Sequence, residues 1–407
     1  MSDMLDIANI ALLAAREGGR LALDALGDGV GSALPLREEA VLQPAVLARF
    51  FEEGATGILP GTVELSSVSS RGVPSVSSNC QTFVLDLEYV EGSEGPESVF
   101  LKVPMQSLAT RWFLGVTNSW RLETHFFRYV APGLPIRTPV TYAALARGSR
   151  FFVVQENLRD DPSVTLFTNP DMMSGPPLEL VRRCLDTFAR LHSAHAGLDR
   201  AAQQALLPLE YHPFLSPAMG VVSKALNRIA LGPARKKVPG VITPTVERAY
   251  RRTLQHWDTL LEDWFSGPLS LLHGDSHLGN FFVSGDEMGM LDFQAAHWGK
   301  GLRDVQYFLI LALPDTVLAE HERELVAYYA LRREHYGAPV DAEQAWRDYR
   351  SLSYHALMTM VVSVGLGALN EEQDALMAEL LRRAAVALER LDYAGWLDGY
   401  LADASPT

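Results

Sequence analysis

Leu271 to Gln294 reads LLHGDSHLGNFFVSGDEMGMLDFQ. A strand-like apolar run, 269–272, delivers His273, Gly274 and Asp275, and Asn280 follows five residues after Asp275. Two aromatics, a glycine-containing turn and a second strand-like run then lead to Asp292. Two carboxylates and an amide thus fall where strand ends meet loops. Oxygen donors of this kind suit a hard cation such as Mg²⁺, which takes carboxylates, water and phosphate oxygens. Phosphoryl transfer makes matching demands: a group to orient the attacking hydroxyl and accept its proton, ligands for a metal that bridges phosphates, and a cation on the phosphates that stay behind. Asp275 fits the first demand, and Asn280 with Asp292 the second.

Upstream of this loop the texture changes twice. Residues 4–26 carry apolar positions at helical spacing (Leu5, Ile7, Ile10, Leu13), and Gly27, Gly29 and Gly31 are expected to end that helix. A short helix is expected over 44–53. From Gly61 strands dominate: 63–70, 82–89, 98–103 and 151–154 are β-branched, aromatic or alternating, with one helical stretch at 120–129. After Asn157 the pattern is mostly helical, with long periodic segments at 178–195 and 245–265 and almost continuous helix beyond Leu302. Strands around one helix, then helices around a short strand pair, imply an α+β fold of two lobes.

Composition narrows the function. The chain has 407 residues, 48% apolar and 21% charged, proportions that support a large core. Its formal net charge of −14 argues against nucleic acid as the main partner, because phosphate backbones are bound by lysine and arginine stripes. Cys80 and Cys184 are the only cysteines, which argues against a disulfide framework or a cysteine-rich zinc site and points to a reducing cytoplasm. No basic leader opens the chain, and the longest apolar run, 356–369, is too short to span a bilayer and is broken by Ser363, Gly365 and Gly367. A buried core helix is expected there, with no membrane insertion.

His-Gly-Asp-Ser-His-Leu-Gly-Asn (273–280) followed by Leu-Asp-Phe-Gln (291–294) resembles the catalytic core of the aminoglycoside phosphotransferase and choline kinase-like superfamily. The Asp-Phe-Gln ending and the later Arg303-Asp304-Val305 look most like its ecdysteroid kinase-like branch. The Asp275-to-Asn280 spacing also matches the catalytic loop of protein kinases. The resemblance covers roughly residues 40–395 and implies a protein-kinase-like fold: a small antiparallel-sheet N-lobe (38–157, nucleotide-binding) and a mostly helical C-lobe (158–407, with catalytic loop, metal site and substrate helices), preceded by a helical extension (1–37). It implies ATP and Mg²⁺ as cofactors and a hydroxylated small molecule as acceptor, drawn from antibiotics, amino alcohols, sterols or similar metabolites.

Further roles follow from the same resemblance. Lys102, in Phe100-Leu101-Lys102-Val103, would hold the α- and β-phosphates, and Glu123, in Trp120-Arg121-Leu122-Glu123, would hold Lys102. Backbone groups of Glu156 and Leu158, in Val153-Val154-Gln155-Glu156-Asn157-Leu158, would face the adenine edge. The phosphate-covering loop would lie near 70–79, with Ser77 and Ser78 as its contacts, although no G-x-G-x-x-G occurs there. Phe188-Ala189-Arg190-Leu191-His192 resembles the helix supporting the catalytic loop. Gln294 stands where protein kinases carry glycine, which argues against a protein substrate. His273 and Asp304 are expected to order the catalytic loop by hydrogen bonding. Asp275 would then be the catalytic base or orienter, and Asn280 and Asp292 the metal ligands.

Two rival readings stay open at this point. One is a non-catalytic nucleotide-binding module. The other is a metal-dependent hydrolase built on His273, Asp275, His277 and Asp292, in which Lys102 and Glu123 have no purpose. His192 and His195 lie three apart on a helix, yet no third ligand accompanies them as a zinc site requires. The acceptor's identity and the oligomeric state are open as well.

Overall fold

A computed structural model describes residues 2–30, 34–59, 62–71, 80–208, 219–367 and 371–403. The fold is α+β and two-lobed. One compact unit comprises Met1–Thr165, Gln204–Pro213 and Leu291–Ala295, and the other Leu166–Gln203, Phe214–Met290 and Ala296–Thr407.

The first unit is built on five antiparallel strands: β1 (Leu65–Ser70), β2 (Cys80–Tyr89), β3 (Ser98–Pro104), β4 (Thr141–Arg147) and β5 (Arg150–Glu156), in the spatial order β1-β2-β3-β5-β4. Side chains alternate across a strand, so Val99, Leu101 and Val103 of β3 share one face. That face packs with Leu47, Phe50 and Phe51 of the helix Pro44–Glu53 in one buried cluster. Phe50 stacks on Phe152 with centroids 4.0 Å apart, and burying a ring of that size contributes about 2–3 kcal/mol. Lys102 falls between Leu101 and Val103 and so projects from the opposite face, paired in register with Thr82 on β2 and Val153 on β5.

Three elements of this unit depart from the sequence reading. The helix at the start runs over Ser2–Val30, through Gly27 and Gly29 rather than ending before them. Helical glycine costs about 1 kcal/mol, and side-chain anchors at Asp24 and Asp28 offset it: Asp24 accepts the Ser149 N–H at 2.8 Å and Asp28 pairs with Arg150. The helix Leu108–Val116 and strand β4, whose sequence is TYAALAR, had no strong periodic signal. β4 forms because β5 offers it a ladder, from Ala143↔Val154 to Arg147↔Arg150.

The second unit is mostly helical. Helix Leu178–Ser193 buries Val181, Cys184, Leu185, Phe188, Leu191 and His192 on one face. Helix Leu302–Ala312 is buried along its whole length, polar residues included. The expected helix over 245–265 is two helices, Pro244–Gln255 and Trp257–Trp264, separated at His256. The break re-aims the chain so that Trp257 and Trp264 meet edge to face at 5.6 Å in the core. The apolar run near 356 forms the largely buried helix Tyr354–Leu366. Short strand Ser270–Leu272 pairs with His297–Gly299, and Phe281–Ser284 forms a hairpin with Glu287–Met290. No helix among the described residues is long and apolar enough to cross a membrane. Cys80 and Cys184 are both buried.

Candidate active site

Strand Ser270–Leu272 ends directly at His273, and the loop that follows is fastened to helix Leu302–Ala312. Asp304, fully buried in that helix, accepts the His273 N–H at 2.6 Å and the Gly274 N–H at 3.0 Å. The Ser276 hydroxyl lies 3.3 Å from the same carboxylate and 3.1 Å from the Asp304 carbonyl. His192 Nε2 lies 3.2 Å from the other oxygen. Burial alone would raise the Asp304 carboxyl, but the His192 hydrogen bond and the Arg303 charge overcome it and hold it well below the usual carboxylate range. An ionised carboxylate only accepts, so His192 carries its proton on Nε2 and its Nδ1 takes the Tyr329 hydroxyl at 2.8 Å. Burial keeps that imidazole neutral by pushing its pKa down. Arg303 donates to the Gly274 carbonyl at 2.5 Å. Gly274 has φ +87°, a conformation glycine adopts without strain, and this turns the chain so that Asp275 leaves the strand direction.

Asp275 is held at both ends. Its N–H donates to His273 Nδ1 at 3.2 Å, and its Oδ1 accepts the Tyr307 hydroxyl at 3.2 Å. Burial, with the Asp275 carboxylate next to it, pushes the Tyr307 phenol well above its ordinary pKa, so it stays a donor. Oδ2 faces His277 Nε2 at 3.9 Å, and the carboxylate remains 31% exposed, within reach of a ligand. Asn280 closes the turn Leu278–Asn280 and donates its amide to the Asp275 carbonyl at 2.7 Å. With its nitrogen engaged, the amide oxygen is the atom that can meet a cation.

The first unit assembles a second group. Lys102 Nζ lies 2.6 Å from Glu123 Oε1 and 3.5 Å from Asp292 Oδ1. Burial opposes the charge on Lys102, but the carboxylates of Asp292 and Glu123 prevail and keep the ammonium protonated. Asp292 has φ +56°, a left-handed backbone uncommon in residues other than glycine. Its Oδ1 is buried without a hydrogen-bond partner, although the side chain as a whole is 32% exposed. The adjoining Phe293 stacks on Phe126 at 4.0 Å and meets Phe127 edge to face at 6.0 Å. Those rings lie in the π-helical turn Phe126–Val130 that follows the Glu123 helix, Ser119–His125. These two aromatic contacts tie the Asp292 segment to the turn that follows the Glu123 helix.

The structure brings Lys102, Glu123 and Asp292 together in one unit, and Asp275 and Asn280 together in the other. Glu156 ends β5. Its N–H is spent on the Val140 carbonyl at 2.8 Å, and its carboxylate takes the Val140 N–H at 2.6 Å and pairs with Arg137 at 2.5 Å. Leu158 is buried just beyond. Ser77 and Ser78 lie outside the described residues. Sequence reading missed Tyr307 and Arg303 as partners of the loop, and Phe126 and Phe127 as partners of Phe293. Tyr307 stands one helical turn from Asp304, the one signal that could have marked it.

The donor set fits Mg²⁺ as the implied metal. The buried Asp292 oxygen has no hydrogen-bond donor, only the Lys102 ammonium at 3.5 Å, and so keeps capacity for a further cation. A carboxylate oxygen such as that of Asp292 is a hard donor of the kind Mg²⁺ takes.

A family model described as the ecdysteroid kinase-like family matches residues 80–333. Comparison with curated proteins finds no match. Among solved structures, the chain is similar to an ethanolamine kinase of Plasmodium vivax at 8% identity, with 79% of this chain and 83% of that chain covered and a TM-score of 0.47. It is also similar to a macrolide 2'-phosphotransferase of Brachybacterium faecium, in its apoenzyme form, at 16% identity, 78% and 94% coverage and a TM-score of 0.45. A third is the GDP complex of wild-type aminoglycoside 2'-phosphotransferase-IIIa, at 12% identity, 85% and 99% coverage and a TM-score of 0.46.

Proposed function

This chain belongs to the ecdysteroid kinase-like family and is a small-molecule kinase; from that premise we propose that it moves the γ-phosphoryl group of Mg·ATP to a hydroxyl of a small metabolite or antibiotic. The observation that carries the reading is the buried Asp292 oxygen with no hydrogen bond, beside a lysine that a buried glutamate holds. Such an oxygen is a costly vacancy in a finished core and a ligand position in a phosphotransferase.

The roles divide as follows. Asp275 orients the acceptor hydroxyl and takes its proton. The Tyr307 hydroxyl occupies Oδ1, which leaves Oδ2 to the acceptor. Lys102 clamps the non-transferred phosphates and Glu123 positions Lys102. Asn280 and Asp292 would each offer an oxygen to Mg²⁺, which would supply charge neutralisation on the phosphates. The carbonyl of Glu156 and the N–H of Leu158 meet the adenine edge; Ser77 and Ser78, read from the sequence as phosphate contacts, lie outside the described residues.

The test is an ADP-release screen with Mg·ATP over hydroxylated antibiotics, amino alcohols and sterols. One acceptor class that drives ADP release supports the reading. Nucleotide binding with no ADP release across the whole panel would favour a non-catalytic module. Hydrolysis that needs Zn²⁺ or Mn²⁺ and ignores ATP would favour the hydrolase.

A further inference from the structure

Three of the five acids of the helix Ser2–Val30 are Glu17, Asp24 and Asp28. At 100° per residue their spacing places them within about 40° of one another, on one face. Each of the three has a partner, although Glu17 Oε1 is buried without a hydrogen bond. Glu17, 1% exposed, accepts from Arg121 at 2.8 Å and from Arg20 at 3.1 Å. Asp24 accepts the Ser149 N–H at 2.8 Å, and Asp28 pairs with Arg150. Close approach is built in at two glycines. A Cβ on Gly115 would lie 2.2 Å from the Glu17 carboxylate, and one on Gly148 would lie 2.1 Å from Asp24.

Arg121 is the informative partner. It also donates to the Gly115 carbonyl at 3.1 Å, the Asn118 side chain at 2.7 Å and the Gly148 carbonyl at 2.9 Å, and its guanidinium lies 3.9 Å from the Trp120 ring centroid. It sits two residues before Glu123 on the helix Ser119–His125, only seven residues long. An isolated helix of that length is unstable in water, and this one follows Asn118 at φ +53°. Its place is set by what grips it. Residues two apart point to nearly opposite sides of a helix, so Glu123 reaches Lys102 on one side while Arg121 reaches Glu17 on the other.

We propose that the Ser2–Val30 helix braces the nucleotide site, with Glu17 acting through Arg121 as a positioning residue that holds Glu123 against Lys102. The inference rests on the nucleotide-binding reading of Lys102 and Glu123 given above. Glu17 touches no ligand. Its removal leaves a largely buried guanidinium without its carboxylate, and the short helix shifts to satisfy it. The loss is then read in nucleotide affinity and not in acceptor affinity.

The experiment measures Mg·ATP affinity of the full chain as wild type, Glu17→Ala, Glu123→Gln and the double variant, with circular dichroism and Tm on each. Glu17→Ala is expected to weaken Mg·ATP about tenfold, since sub-ångström misplacement of a clamp costs that much or more. In the Glu123→Gln background the same change should cost less than about twofold, the non-additivity of residues acting in series. Wild-type affinity in a folded Glu17→Ala protein with a lowered Tm reduces Glu17 to a stability contact and overturns the brace. Equal losses in both backgrounds also overturn it. No effect of Glu123→Gln on nucleotide affinity brings down the site reading itself, and the brace with it. Should Glu17→Ala not fold, Glu17→Gln, which keeps the shape and loses the charge, takes its place: a weaker nucleotide complex supports the brace, and unchanged affinity overturns it.

Discussion

The loop His273–Asn280 and the segment Leu291–Ala295 both present aspartates, and they treat them in opposite ways. The loop is fastened by Asp304 of helix Leu302–Ala312, which is fully buried and takes donors from His273, Gly274, Ser276 and His192. In the segment, Asp292 stands in a left-handed backbone with a buried oxygen that no hydrogen bond satisfies and with Lys102 3.5 Å away. A saturated carboxylate is scaffold, because every lone pair already does structural work. An unsaturated one in a strained backbone beside a lysine is where we propose that a ligand binds. Asp275 lies between the two, with one oxygen held by Tyr307 and a side chain still open to solvent.

The contrast can be broken by mutation. Asp275→Asn should lower turnover about 10³-fold while Mg·ATP affinity stays near wild type, since loss of a general base costs 10²–10⁴; ADP release and nucleotide titration measure both. Asp304→Asn puts an amide donor against the Gly274 N–H and should cost about 3 kcal/mol of stability, the scale of breaking a buried charged network, seen as a lower denaturation midpoint. Its pH dependence sharpens the point. The folded-state pKa of Asp304 is depressed from 3.8, so the stabilisation is complete above that value and is lost as pH falls through the lower folded value. The gap between wild type and Asp304→Asn should therefore narrow as pH drops below about 4; a constant gap would mean that the carboxylate charge contributes nothing. Lys102→Met should raise KM for ATP and lower kcat/KM about 100-fold, because removal of a preorganised charge costs about 2.7 kcal/mol or more, and Tm should fall as well, because the buried Glu123 carboxylate loses its partner. Tyr307→Phe should reduce kcat about tenfold through looser orientation of Asp275, with KM for ATP unchanged; an equal loss in nucleotide affinity would place Tyr307 in the scaffold instead.

Much of this was legible in the sequence because the chemistry is local. Asp275 and Asn280 are five residues apart in one loop, and the hairpin that separates them from Asp292 is short. Strands β2, β3 and β5 and the helix Leu178–Ser193 follow from periodicity. Strand β4 was not legible, since an alanine-rich segment becomes a strand only when a neighbour supplies its hydrogen bonds. The partners Tyr307, Phe126 and Phe127 were not legible either, because nothing in their local pattern names what they touch.

The order of residues by itself determined the fold class, the family and the residue types that phosphoryl transfer requires, because motif spacing and hydrophobic period are properties of the chain alone. Only the tertiary structure decided which acids are saturated and which are left open, and that the helix Ser2–Val30 reaches Arg121 through Glu17. The reason is physical. Hydrogen-bond saturation and burial depend on groups that are distant in sequence, 104 residues apart in the case of Glu17 and Arg121, and no local pattern records them.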